Sequence, residues 1–234
     1  HSFPTRRSSD LVRKIENPVN EKVFTKTIMS EEQLQILLDY CIEKKRYDKA
    51  CLLSLAMNSG RRKSELPRFK VSYFDDENII LGSLYKTPEK VKTKGRGSLG
   101  KRLTLYVLAK PFKPYLDLWM NYRKEHGIES EWLFPKKVNG EYIDEPMESG
   151  TLDSWADTFS KVLGESFYFH CLRHWFVTRL SESNIPDSVI QDIIGWDSAE
   201  MCRVYCDTEA DVKFAKYFGE EGIKQVEQKS LSDL

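Results

Sequence analysis

The sequence lacks a net charge, a long hydrophobic run and a C-x-x-C pair. Its 36 lysine and arginine residues balance 36 aspartate and glutamate residues, so overall charge gives no reason to expect binding to nucleic acid. There is no run of about 18 apolar residues, which argues against a membrane-spanning helix. No short apolar stretch follows a basic N-terminus, so no signal peptide is indicated. We therefore expect a globular protein of the cytoplasm with no membrane partner.

The five cysteines are an odd number, and none of them form a C-x-x-C motif. A chain of this length buries a core without disulfides, so reduced and mostly buried thiols are expected. Cys202 and Cys206 are four residues apart, but no second pair of ligands has a spacing suitable for zinc. Cys171 and His174 are interpreted as packing residues. The sequence therefore indicates neither a metal ion nor another cofactor.

The first eleven residues, HSFPTRRSSDL, do not read as native protein. Their RRSSDL portion is what the nucleotides CGACGCTCTTCCGATCT encode, and these match the end of a common sequencing adapter. We exclude residues 1–11 from fold reasoning, as one excludes an expression scar, and expect the natural chain to be longer at its N-terminus. Residues 12–29 have no sustained period and are interpreted as a linker.

Helical periodicity dominates the rest of the chain. Ser30 and Gln33 form a capping box ahead of the first apolar helical face. Further helices are predicted for residues 48–58, 112–127 and 152–162, and one begins near Pro186 and stops at Gly195.

Residues 69–108 change to β-rich runs around a glycine-rich turn. Strands are predicted for residues 69–74, 78–85 and 102–108. The predicted fold class is therefore α+β, mainly α: a helical bundle with a small antiparallel sheet. We assign residues 30–218 to this domain and residues 219–234 to a C-terminal tail.

The balanced charge hides an uneven distribution. Residues 86–102 contain seven cations and one anion, and residues 60–70 contain five cations and one anion. Residues 182–234 compensate with twelve acids against five bases. A basic hairpin interrupted by glycines favours a phosphate backbone as partner, because each neutralised phosphate releases counterions. The candidate DNA-binding residues are Lys86, Lys92, Arg96, Lys101 and Arg102.

The most informative motif lies in the second half of the chain. His170 and Arg173 form an H-x-x-R pair, Trp196 follows Gly195 twenty-three residues after Arg173, and Tyr205 comes nine residues later. Each of these residues alone has an ordinary structural explanation, such as a core histidine or a surface ion pair. Their joint occurrence in this order is what makes them informative.

An upstream G-x-R-x-x-E arrangement, formed by Gly60, Arg62 and Glu65, completes the pattern just past a helix end. The whole set resembles the catalytic domain of the tyrosine recombinases, the phage integrase family, over roughly residues 30–218. The residues that match the catalytic positions of that family are Arg62, His170, Arg173, Trp196 and Tyr205.

The resemblance also implies a catalytic lysine on the β-hairpin. Lys94 is the candidate because it stands just before the turn at Gly95. Lys92 and Lys86 remain alternatives, because the hairpin is long. Strand alternation does not separate Lys92 from Lys94, since both would share one face.

The residue types suit displacement of a DNA hydroxyl from a phosphodiester. Arg62 and Arg173 are expected to bind the phosphate oxygens through their planar guanidinium groups. Tyr205 is expected to be the nucleophile, and His170 to accept or orient its proton. Lys94 would protonate the leaving 5′ oxygen, and Trp196 would position groups through its N–H. Glu65 is expected to orient its neighbours through hydrogen bonds.

The resemblance implies a covalent 3′-phosphotyrosine intermediate, formed without metal or ATP, in a site-specific recombinase or integrase. It implies double-stranded DNA as partner, a homotetramer on two DNA sites, and a C-terminal arm for which residues 211–218 are a candidate, beside an ordinary terminal helix. Two alternatives remain: a type IB topoisomerase-like relaxing enzyme, and a non-catalytic DNA-binding regulator of the same fold.

Overall fold

The computed structural model describes residues 29–93, 101–198, 200–205, 218–219 and 222–223. None of the described helices is both long and apolar enough to cross a membrane. The described α-helices are α1 (Glu31–Glu43), α2 (Tyr47–Met57), α3 (Ala109–Glu125), α4 (Thr151–Leu163), α5 (Phe169–Glu182), α6 (Asp187–Ile194) and α7 (Glu200–Tyr205).

The described strands are short and all pair antiparallel. They are β1 (Ile79–Ile80), β2 (Leu84–Lys86), β3 (Val91–Lys92), β4 (Arg102–Leu103), β5 (Tyr106–Leu108), β6 (Pro135–Val138), β7 (Glu141–Pro146), β8 (Phe218–Gly219) and β9 (Gly222–Ile223). Strands β1, β2 and β5 form one sheet in the order β1-β2-β5, and the others pair as β3 with β4, β6 with β7 and β8 with β9. The predicted class, mainly helical with small antiparallel sheets, is confirmed.

Helix α2 is the centre of the fold. Every residue from Lys49 to Met57 is buried, and the helix packs against α1, α3 and α5. Helix α1 begins with the predicted capping box, in which the Ser30 hydroxyl accepts a hydrogen bond from the Gln33 backbone N–H and the Gln33 side chain accepts one in return. Because α2 is buried, its packing fixes the position of its C-terminal end. Arg62 lies in the loop that follows this end.

The strand predicted at residues 69–74 is wrong. Residues Val71–Phe74 form a short 3₁₀ helix. The reason is packing: Phe69, Tyr73 and Phe74 are all buried on one side, which needs helical spacing and not the alternation of a strand. The ring centroids of Phe69 and Phe74 lie 5.7 Å apart. Aromatic β-propensity therefore gave way to burial of an aromatic cluster.

The other two predicted strands are each interrupted. The run at residues 78–85 is broken by a turn at Leu81 and Gly82, which have φ angles of 52° and 69° and separate β1 from β2. The run at residues 102–108 divides into β4, which pairs with β3, and β5, which pairs with β2. Two small sheets, β1-β2-β5 and β3-β4, therefore stand in place of the single predicted hairpin sheet.

The β6–β7 hairpin has no counterpart among the predicted elements. Its turn is Asn139-Gly140, and both residues have positive φ, at 51° and 92°. Asn-Gly between two extended runs is the strongest short signal for such a turn. That dipeptide is the feature of the sequence that identifies the hairpin.

The buried apolar side chains form two clusters that meet along α5. The larger cluster joins α1 to α4, and the smaller one joins α5, α6 and α7. Trp196 and Tyr205 belong to the smaller cluster. Of the predicted buried thiols, Cys41, Cys51, Cys171 and Cys202 are indeed buried, while Cys206 lies outside the described residues. Residues 211–217, most of the predicted arm, also lie outside them.

Gly60 occupies a position where α2, α5 and α6 approach each other closely. Its φ is +59°, and a Cβ atom added there would lie 2.6 Å from Cδ1 of Phe176 and 2.8 Å from Cδ1 of Ile194. Gly127 has nearly the same φ, +61°, but a Cβ atom added there would meet no atom of the described residues within 4 Å. Comparing substitutions at these two glycines therefore separates the energetic cost of backbone strain from that of steric crowding.

We expect Gly60→Ala to lower the free energy of unfolding by about 2–4 kcal/mol, because left-handed strain and overpacking add. Gly127→Ala should lose only the strain, about 1–2 kcal/mol. Urea denaturation of both variants measures the difference. Equal losses would show that the close approach of α5 and α6 to Gly60 does not contribute to stability.

Candidate active site

Five of the predicted site residues lie on four separate elements. Arg62 is in the loop after α2, His170 and Arg173 are in the first two turns of α5, Trp196 follows α6, and Tyr205 is the last residue of α7. The C-terminal ends of α6 and α7 and one face of α5 lie close together. Ring contacts and a hydrogen-bonding contact link His170, Arg173, Trp196 and Tyr205, and Arg62 lies close enough for its charge to act on Arg173.

Tyr205 is packed on several sides within this region. Its Oη atom lies 3.3 Å from Nε2 of His170, a hydrogen-bonding contact whose direction depends on the histidine tautomer. Its ring centroid lies 4.5 Å from that of His174 and 5.0 Å from that of Trp196. The Thr178 hydroxyl donates to the Tyr205 carbonyl at 3.2 Å, which fixes the end of α7 against α5. The tyrosine hydroxyl is thus held beside the His170 imidazole.

Arg173 is fully buried, and its guanidinium group is only partly used by the protein. Nη1 donates to the Gly60 carbonyl at 2.9 Å. Nε and Nη2 are also buried and have no hydrogen-bond partner among the described residues. Unpaired buried donors are costly, so they mark a position where a ligand with acceptor oxygens would be stabilised.

Arg173 also lies under the two aromatic residues of the motif. Its Cζ atom is 5.3 Å from the Trp196 ring centroid and 5.5 Å from the Tyr205 ring centroid. Burial, together with the nearby positive charges of Arg62 and Arg61, lowers the pKa of Arg173 to about 10. The guanidinium is still charged at neutral pH, so the site contains a cation that would stabilise an anionic ligand.

Arg62 is half-buried and is oriented by Glu65. Its Nη1 lies 3.2 Å from Oε1 of Glu65, and its backbone N–H donates to Oε2 at 3.1 Å. Glu65 is itself almost fully buried, at 1% exposure. One carboxylate therefore holds both the side chain and the backbone of Arg62, which is the orienting contact predicted for Glu65.

Trp196 is buried at 8% exposure, directly after the end of α6. Gly195 ends the helix with a φ of +74°, and a Cβ atom there would lie 2.5 Å from Cδ1 of Leu103 on β4. The indole N–H is buried without a hydrogen-bond partner among the described residues. Trp196 thus has the free donor expected for its positioning role, and Gly195 lets the hairpin approach it.

The basic hairpin is described only in part. Lys94, the preferred catalytic lysine, and Arg96 lie outside the described residues. Lys86, Lys92 and Arg102 are exposed, and Lys92 stands opposite Arg102 in the β3–β4 pair. Like charges at opposed strand positions are unfavourable unless an anion lies between or beside them.

Lys101 differs from the other candidate DNA-binding residues. Its ammonium group forms an ion pair with Asp197 and lies 3.4 Å from the Gly195 carbonyl. In this arrangement Lys101 joins the hairpin to the segment that carries Trp196. A contact from Lys101 to DNA would require this ion pair to open.

Sequence reasoning missed Arg61 and Thr178. Arg61 is 1% exposed although it lies within a basic run that reads as surface. Thr178 holds the backbone of Tyr205 from one turn after His174. No pattern in a single sequence marks either residue, because both roles depend on tertiary contacts.

Comparison with known proteins gives an independent line of evidence. The sequence profile of the phage integrase family matches residues 27–211. The chain belongs to the phage integrase family. The matched region contains every predicted catalytic residue, from Arg62 to Tyr205. The family predicted from the motif is confirmed.

Individual relatives agree with this membership. The chain is 26% identical over 192 residues to tyrosine recombinase XerA of Pyrococcus furiosus, an alignment that covers 82% of this chain and 60% of XerA. A XerA crystal structure matches with a TM-score of 0.62 at 19% identity, covering 82% of this chain and 64% of that one. The chain thus spans less than two thirds of the length of these relatives.

A structure of the Tn1549 transposon integrase in complex with circular intermediate DNA is also similar. Its TM-score is 0.59 at 20% identity, and the match covers 84% of this chain and 66% of the integrase. At this identity the likeness establishes the fold.

Proposed function

We propose that this protein cleaves and rejoins DNA strands through a covalent 3′-phosphotyrosine at Tyr205, as a site-specific recombinase or integrase. The observation that carries the proposal is the position of the Tyr205 hydroxyl, 3.3 Å from His170 Nε2, beside a buried Arg173 with two unpaired donors among the described residues. A nucleophile, a proton acceptor and a phosphate-binding cation are the minimum set for this reaction.

In the proposed cleavage step, the Tyr205 oxygen attacks the phosphorus of a phosphodiester. An O–P bond forms to the tyrosine, and the bond from phosphorus to the 5′ oxygen breaks. His170 accepts the tyrosine proton, and a hairpin lysine donates a proton to the leaving 5′ oxygen. We favour Lys94 for that role, with Lys92 and Lys86 as alternatives, because a positioned lysine can serve as a general acid.

The negative charge that develops on the non-bridging oxygens is met by fixed groups. Arg62 and Arg173 bind these oxygens, and the Trp196 indole N–H donates or positions. Rejoining is the reverse attack by a 5′ hydroxyl on the phosphotyrosine. The phosphate ester is conserved at each step, so the proposed reaction balances without ATP, a metal ion or another cofactor.

The proposed substrate is double-stranded DNA. The exposed cations Lys86, Lys92 and Arg102 lie on the ribbon next to the site, and the opposed pair Lys92 and Arg102 favours a polyanion. The Tn1549 integrase, which shares the fold, was solved in complex with DNA. We further propose a homotetramer on two DNA sites and a cytoplasmic location, the compartment in which free thiols persist.

The test uses a pool of duplexes with randomised sequence and a nick in one strand, incubated in EDTA. The short fragment between the cleavage point and the nick diffuses away, so a covalent adduct is trapped. We expect an SDS-stable adduct that retains a label at the 5′ end of the nicked strand and loses a label at its 3′ end. DNA binding without an adduct would instead indicate a regulator.

A plasmid assay separates the remaining alternative. Relaxation of supercoiled plasmids of unrelated sequence at equal rates would indicate a topoisomerase-like enzyme. Enrichment of one sequence in the trapped pool would indicate a site-specific recombinase, and sequencing the trapped strands measures it.

A further inference from the structure

Arg61 is a second fully buried arginine beside the proposed site. Its side chain is 1% exposed and has no ion pair with a carboxylate among the described residues. Nε donates to the Ser59 carbonyl at 3.0 Å, and Nη2 donates to the Ile193 carbonyl at 2.6 Å. Nη1 is buried without a hydrogen-bond partner among the described residues. A buried cation satisfied only by carbonyls is expensive, so its retention calls for an explanation.

The contacts of Arg61 join two elements of the site. Ile193 is in the last turn of α6, where carbonyl groups lack helical partners and a positive charge is favourable. Trp196 follows three residues later, and Arg62 is the next residue after Arg61. Arg61 therefore ties the loop that carries one arginine of the motif to the helix end that carries the tryptophan.

Arg61 also contributes charge to the site. Its positive charge and that of Arg62 both act to lower the pKa of Arg173, and Arg62 acts in the same direction on Arg61. Glu65 is the acid that opposes both effects. Three guanidinium groups thus influence one another beside a single carboxylate. If Arg61 only had to link two carbonyl groups, a neutral amide side chain would do so at a lower desolvation cost.

We infer that Arg61 is a positioning residue for DNA cleavage, which fixes the Arg62 loop to the end of α6 and adds a third positive charge behind the phosphate-binding site. This inference rests on the proposed function. Arg61 acts through Arg62 and Arg173 and does not itself contact the phosphate. Its charge stabilises the negative oxygens of the transition state.

The experiment measures the single-turnover rate of adduct formation at neutral pH, at saturating concentrations of trapped DNA selected from the pool. Arg61→Gln removes the charge and keeps a donor. We expect its rate to fall by about 10-fold or more. Arg61→Lys, which keeps the charge, should recover part of the rate.

Arg123→Gln is the matched control. Arg123 is also buried, at 4% exposure, and among the described residues it also donates only to backbone carbonyls, those of Ile128, Ser130, Trp132 and Leu133. Its loss should lower the melting temperature and leave the cleavage rate unchanged. All rates are measured well below the melting temperature of each variant.

The outcomes are distinct. A wild-type adduct together with a normal rate in Arg61→Gln would overturn this inference and leave the proposed function standing. A failure of Arg61→Lys to recover any rate would overturn the role of the charge. Absence of the adduct in wild type would overturn the proposed function and this inference with it.

Discussion

Tyr205→Phe is expected to abolish the covalent adduct and to leave DNA binding and folding close to those of wild type. The variant loses one hydroxyl, whose hydrogen-bonding contact is with His170, and keeps the ring that packs on His174 and Trp196. Removing a covalent nucleophile costs on the order of 10⁶-fold in rate, which places adduct formation below detection. A gel-shift assay and an SDS gel on the same samples separate binding from reaction.

The matched control for this prediction is Tyr168→Phe. Tyr168 is half-buried and lies two residues before His170, so it tests a general effect of removing a hydroxyl near the site. We expect it to form the adduct at a rate close to that of wild type. Adduct formation by Tyr205→Phe, or its loss only in Tyr168→Phe, would show that the nucleophile has been assigned to the wrong residue.

Arg173→Lys should slow cleavage by about 10²- to 10³-fold although it keeps the charge. The wild-type guanidinium uses Nη1 for the Gly60 carbonyl and leaves Nε and Nη2 for a ligand. A lysine has a single nitrogen, so it cannot bind Gly60 and grip two phosphate oxygens in the same planar geometry. The single-turnover rate at saturating DNA measures the loss.

Arg123→Lys controls for the cost of replacing a buried arginine. It should lower stability without a comparable loss of cleavage. The reason is that Arg123 donates to carbonyls within residues 128–133, a segment that is not part of the proposed site. The melting temperature of each variant is measured alongside its rate. A cleavage rate for Arg173→Lys within about 3-fold of wild type would refute the bidentate role, given that a lost donor costs far more.

The sequence predicted the helices better than it predicted the sheet. The capping box at Ser30 and the helix that stops at Gly195 were accessible because helix caps and helix ends are local features. The run at residues 69–74 was misassigned because aromatic residues favour strands when no tertiary contact is known. In the fold, Phe69 and Phe74 pack together and require a helical turn.

Arg61 shows why part of the site was inaccessible from one sequence. It stands in a run of cations that reads as a solvated face, yet its side chain is buried against the end of α6. Only the long-range contact with Ile193 distinguishes it from its neighbours. In the same way, the zero net charge concealed an exposed basic pair at Lys92 and Arg102 beside the site.

The most direct test of the account is to map the residue that carries the DNA. The trapped adduct is digested with nuclease and then with trypsin, and the peptides are sequenced by mass spectrometry. Cleavage after Arg203 and Lys213 releases residues 204–213, in which Tyr205 is the only tyrosine. We predict a nucleotide bound through its 3′ phosphate to Tyr205 in this peptide. A nucleotide bound to any other residue would contradict the proposed mechanism.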